Sequence, residues 1–195
     1  WKVFKLMDLT MSKNSVVKGE KVIKAIEEIV PDVLIEDLPI PFRAVATDLC
    51  LGEEVVFDSG SLFKAIRASI SIPGLFQPVE YDGRTLIDGG IVNSIPLNRV
   101  VRHAGDILIG FNVNDIEKEG VQESLGTNLY SLLDRTFDLM NHRNTILSLE
   151  MTPPDVLVNM PFSAYGSIPD YAKVREISDR GRALMREALD EWERR

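Results

Sequence analysis

Apolar positions along the chain switch between a helical period of about 3.6 residues and a strand period of two. Between Val17 and Val30, Val22, Ile23, Ala25, Ile26, Ile29 and Val30 recur at helical spacing before Pro31, which predicts an amphipathic helix. Residues 41–49 and 53–58 carry strand-type composition on either side of a turn at Gly52, a predicted hairpin. Ser61 is placed to cap a helix bearing Leu62, Phe63, Ala65, Ile66 and Ala68, which ends near Pro73 and Gly74. Residues 78–81 and 84–87 flank Asp82-Gly83, a strong hairpin signal that leaves Asp88 at the end of the second strand. A short helix over 97–103 leads to 106–113, whose continuous apolar centre predicts a strand covered on both faces. Leu125, Leu129, Leu132, Leu133, Phe137 and Met140 form a helical stripe predicted to face the core. A strand at 155–160 and a helix over 171–192 follow, and the alternation implies an α/β layered sheet flanked by helices.

Length and composition narrow the class. A chain of 195 residues with 45% hydrophobic and 27% charged residues fits one globular domain, with no low-complexity tract or internal repeat. The net charge of -8 and scattered basic residues argue against a nucleic-acid partner. The single cysteine, Cys50, excludes an intrachain disulfide and is expected to be a small buried hydrophobe in a reducing compartment. No apolar run approaches the roughly 20 residues of a membrane-spanning helix, and the N-terminus does not resemble a signal peptide, so a cytoplasmic protein is expected.

The candidate chemistry centres on Ile87-Asp88-Gly89-Gly90-Ile91-Val92-Asn93. An ordinary Asp-Gly turn is one account of it. The other is a carboxylate delivered to a strand end, where glycines let another segment come close. Asp48 also closes a strand and is expected to bond its own turn. His103 and His142, the only histidines, have no serine or cysteine partner at a recognisable spacing and are expected to be packing or surface residues. Asp82, Asp88 and Asp106 are candidate oxygen ligands, but no metal-binding loop or His/Cys cluster accompanies them, so no metal is expected.

Four segments together alter the weighting: Pro41 to Asp48; Gly52 to Phe57; Arg67-Ala68-Ser69-Ile70-Ser71-Ile72-Pro73-Gly74-Leu75-Phe76-Gln77-Pro78-Val79; and Asp88-Gly89-Gly90. In this order they resemble the bacterial patatin-like phospholipase family. The resemblance is strong over most of residues 36–113. It implies a three-layer α/β fold, with a central mostly parallel sheet flanked by helices, in a single domain over residues 1–195. It further implies a serine acyl ester hydrolase working through a Ser-Asp dyad on lipid or phospholipid acyl esters, without a cofactor. The family's catalytic acid maps onto Asp88, with Gly89, Gly90 and Asn93 supporting its loop.

The family carries its nucleophile in Gly-x-Ser-x-Gly and its oxyanion donors in a glycine-rich turn, both upstream of the matched segments. Neither pattern occurs in the 195 residues. Ser59 and Ser124 lack the correct glycine spacing, and Ser69 and Ser71 belong to the family's ordinary Ala-Ser-x-Ser-x-Pro segment. The nucleophile is therefore expected outside this chain, in a segment preceding Trp1. Loss of the elbow and a repurposed serine are the alternatives. A shortened sheet would expose edges that favour a homo-oligomer, and lipid substrates are compatible with peripheral membrane contact. The rival function is a non-catalytic patatin-like domain that binds lipid or a protein partner.

Overall fold

The structure, a computed structural model, describes residues 20–73, 76–114, 129–160 and 173–195. It is a mixed α/β protein, as expected, and divides into two compact units, Trp1–Asn93 and Ser94–Arg195.

In the first unit the chain runs through α1 (Glu20–Ile29), β1 (Ala44–Asp48), β2 (Glu54–Phe57), α2 (Leu62–Ser69), β3 (Val79–Tyr81) and β4 (Arg84–Asp88). The strands form one antiparallel sheet in the order β2-β1-β4-β3, so parallel pairing is absent from it. Both expected hairpins are present. Asp82 and Gly83, at φ 50° and 74°, form the tight β3–β4 turn, whose left-handed residues match the twist of the flanking strands.

β1 is buried along its whole length between β2 and β4. Its α2-facing side carries Ala44 and Ala46, while α2 contributes Leu62, Ala65 and Ala68, with Ile35, Phe57 and Leu86 completing the core. Four alanines leave helix and sheet backbones close together, and the larger residues fill the margins. Phe57 and Tyr81 meet edge to face, with centroids 5.1 Å apart. α2 begins as its sequence indicates: the Ser61 hydroxyl accepts the Lys64 N–H at 3.2 Å and donates to Asp32 Oδ1 at 2.7 Å.

Asp48 behaves as a turn residue. It is 2% exposed, and its Oδ1 accepts the N–H groups of Cys50 at 2.9 Å and Leu51 at 3.1 Å. Cys50 departs from expectation and is exposed, because these bonds turn it outward at the hairpin tip.

The second unit contains β5 (Ile109–Asn112), α3 (Leu129–Met151), β6 (Val156–Asn159) and α4 (Val174–Glu193). β5 and β6 pair in parallel, and this is the parallel pairing among the described residues. Ile95, Leu97 and Leu108 form a core with Leu149. The helix expected over 97–103 is a single turn, Leu97–Arg99, because Asp106 Oδ2 captures the His103 N–H at 2.7 Å and bends the chain at Gly105. The strand expected to be covered on both faces alternates instead, with Ile109 and Phe111 partly exposed and Gly110 and Asn112 buried. On α3, Leu132, Leu133 and Met140 are exposed, contrary to the expected core stripe; Leu125 lies outside the described residues. No helix of the described residues is long and apolar enough to cross a membrane.

Replacing Asp48 by alanine removes the acceptor of two backbone donors and should lower stability by about 2 kcal/mol. Urea denaturation would show this as a lower midpoint with an unchanged slope, whereas an unmoved midpoint would mean that water replaces the carboxylate.

Candidate active site

Asp88 ends β4 beside the centre of the sheet. It is in register with Ala46 of β1, and its own N–H donates to the Ser71 carbonyl at 3.0 Å, just past the end of α2. Its carbonyl accepts the Thr47 hydroxyl at 2.8 Å. The main chain is thus held on both sides before it turns into the short 3-10 helix Gly89–Ile91.

Asp88 caps that turn with its side chain: Oδ1 accepts the Gly90 N–H at 2.8 Å. Oδ2 accepts no hydrogen bond from the described residues. Partial burial raises the Asp88 pKa above its ordinary value, opposed by the smaller effect of the Gly90 N–H. The carboxyl is therefore a stronger proton acceptor than an exposed aspartate, with one oxygen fixed and one available.

Gly89 permits this geometry through close approach. A Cβ at that position would collide with the Val45 carbonyl group, 2.6 Å from its carbon and 3.1 Å from Cγ1 of the side chain. The loop is closed by Asn93, whose N–H donates to the Gly89 carbonyl at 2.9 Å and whose Nδ2 donates to Glu54 Oε1 on β2 at 2.6 Å. Gly89 and Gly90 form the turn that the Asp88 side chain caps, and Asn93 bonds back to it.

The other candidates are placed differently. The Ser71 hydroxyl is fully buried, donating to the Arg67 carbonyl at 2.8 Å and accepting from the Arg67 guanidinium at 2.6 Å. Neither it nor Ser69 bonds the Asp88 carboxyl. Ser124 lies outside the described residues. His103 is 83% exposed beside Asp106, and His142 lies on α3 in the second unit. Among the described residues no cluster of three or more metal-ligating side chains occurs.

Sequence reasoning missed Thr47, Glu54 and the Ser71 carbonyl as partners of the Asp88 loop. Strand pairing brings Thr47 and Glu54 to the loop from 41 and 39 residues away, so no local pattern announces them.

Gly89→Ala should destabilise the protein by at least about 2 kcal/mol, because rigid backbone must move to admit one methyl; a thermal midpoint equal to wild type would show that the crossing can relax. Asp88→Asn should affect stability with a defined pH sign. Since the folded-state pKa is raised, the stabilising contribution of the protonated acid is full below the unfolded pKa and is lost as pH rises through the folded one. The variant should therefore gain on wild type as pH rises through that window. A constant difference in thermal midpoint across the series would contradict it.

A family model described as patatin-like phospholipase matches residues 1–101. An uncharacterized NTE family protein of Mycobacterium tuberculosis is 44% identical over 115 residues, which are 59% of this chain and 32% of that protein. A patatin-like phospholipase domain-containing protein of Caenorhabditis elegans is 35% identical over 133 residues, 67% of this chain and 9% of that protein. The neuropathy target esterase sws of Drosophila persimilis is 39% identical over 93 residues, 47% of this chain and 6% of that protein. The chain thus spans about a third or less of the length of these relatives. With just over half of its residues matched by the family model, and Asp-Gly-Gly among them, the chain belongs to the patatin-like phospholipase family.

Proposed function

We propose that residues 1–195 form the acid-bearing portion of a single patatin-like domain that hydrolyses lipid or phospholipid acyl esters. Asp88 is the proton acceptor of a Ser-Asp dyad whose serine lies outside this chain. The observation that carries this is the Asp88 carboxyl itself, half-buried, fixed through Oδ1 and open at Oδ2. An ordinary surface turn would not require its neighbour Gly89 to lie against the Val45 carbonyl. The esterase and phospholipase names of the relatives support the substrate class.

In the proposed reaction the serine oxygen attacks the acyl carbonyl carbon as its proton passes to Asp88. A tetrahedral oxyanion forms, which requires donors supplied from elsewhere in the protein. Collapse breaks the ester C–O bond, and the proton held by Asp88 passes to the departing alkoxide, leaving acyl-serine. Water then attacks the acyl-serine carbon, giving its proton to Asp88; collapse releases the fatty acid and returns that proton to serine. The raised Asp88 pKa suits both halves, since the same group must accept and return a proton.

The test combines two measurements on the natural full-length protein. A fluorophosphonate probe should add one adduct to wild type, detected by intact mass, at a serine outside residues 1–195. Asp88→Asn should fold and lose about 100-fold to 10,000-fold in ester turnover. The wild-type kcat/KM should fall on the acid side at a pH above the ordinary aspartate range, because the base works only when ionised. Full turnover in Asp88→Asn would remove the assignment. A folded protein that takes up no probe would favour the non-catalytic lipid- or protein-binding domain.

A further inference from the structure

The connection from α2 to β3, described at residues 70–73 and 76–78, is tied across its base by one side chain. Arg67, in the last turn of α2, donates through one guanidinium nitrogen to the Ser71 hydroxyl at 2.6 Å and through the other to the Gln77 carbonyl at 2.9 Å. Its Cζ lies 5.9 Å from the centre of the Phe76 ring. The Ser71 hydroxyl returns a bond to the Arg67 carbonyl at 2.8 Å, so Ser71 is held from both ends and is fully buried. The next polar atom of Ser71, its carbonyl, receives the Asp88 N–H at 3.0 Å.

Two features set this arrangement apart from an ordinary helix-end arginine. No carboxylate pairs with Arg67 among the described residues, although burial lowers its pKa by disfavouring the charge. A partly desolvated cation without a counter-ion is costly, and its donors go to a hydroxyl and a carbonyl six residues apart. The planar fork reaches the two through separate nitrogens in fixed geometry, whereas a lysine offers one nitrogen on a flexible stem. We infer that Arg67 is a positioning residue for the acid: it clasps the two ends of the α2–β3 connection and thereby seats the Ser71 carbonyl on the Asp88 N–H. The consequence is catalytic only if Asp88 is the proton acceptor proposed above. Misplacement of such a group by about 1 Å can cost on the order of 100-fold in rate.

The experiment is a double-mutant cycle on the whole protein, read by ester hydrolysis and by fluorophosphonate labelling rate. Arg67→Met should lower kcat about 10-fold to 100-fold and leave KM within about twofold. It should cause no further loss in an Asp88→Asn background, because its effect passes through that acid. Ser71→Ala should act in the same direction to a smaller degree, and Arg67→Lys should restore little of the loss. If Arg67→Met fails to fold, Ser71→Ala and Arg67→Lys complete the same cycle. Unchanged kcat in the folded variants, a loss confined to KM, or equal losses with and without Asp88 would overturn the positioning role. Full turnover in Asp88→Asn alone would instead bring down the dyad proposal, and the positioning role with it.

Discussion

The acid loop depends on one steric constraint, the passage of Gly89 across the backbone of Val45. β4 places Asp88 at its end and turns at once, with the next residue lying against the neighbouring strand, where a Cβ would strike the carbonyl group. The rest of the unit keeps that surface in place. β1 is central and buried, with Ala44 and Ala46 letting α2 close over one face. The Thr47 hydroxyl then pins the Asp88 carbonyl from the strand that Gly89 crosses. A small-residue core and a glycine crossing express the same requirement, that backbones come close on both sides of one strand.

Asp48 and Asp88 show how differently one residue type can be surrounded at two strand ends. Both close strands of the same sheet, and both accept backbone N–H groups through Oδ1. Asp48 accepts two such bonds, while its Oδ2 lies 4.0 Å from the Arg84 guanidinium on β4. Asp88 has one such bond, and the net effect of its surroundings is to disfavour ionisation. Bonds to a carboxylate favour its charged form, and burial disfavours it.

What was legible in the sequence was local. Asp82-Gly83 specified a two-residue hairpin and Ser61 a helix start, because each acts on residues within one turn. Asp88 and its glycines were legible as a motif, and the family resemblance supplied the weight that spacing lacked. The supports of the acid were not, since Thr47 and Glu54 reach it through strand register. Cys50 failed for the opposite reason: residue type favours burial, but the Asp48 turn sets its direction. The same limit applied to Leu132 and Leu133, whose helical spacing says which face they share and not whether another element covers it.

The pattern of support around Asp88 also explains why so much hydrogen bonding is directed at main-chain atoms. The Ser71 carbonyl, the Thr47 hydroxyl and the Asn93 N–H all hold the backbone of residues 88 and 89, while among the described residues the carboxyl itself receives only the Gly90 N–H. For the proton acceptor proposed above, each further bond to the carboxylate would stabilise its charge and weaken it as a base. Fixing the backbone avoids that conflict, since it restricts where the carboxyl lies without adding donors to it. Position and basicity can then be set separately, the first by β1 and the α2–β3 connection, the second by partial burial.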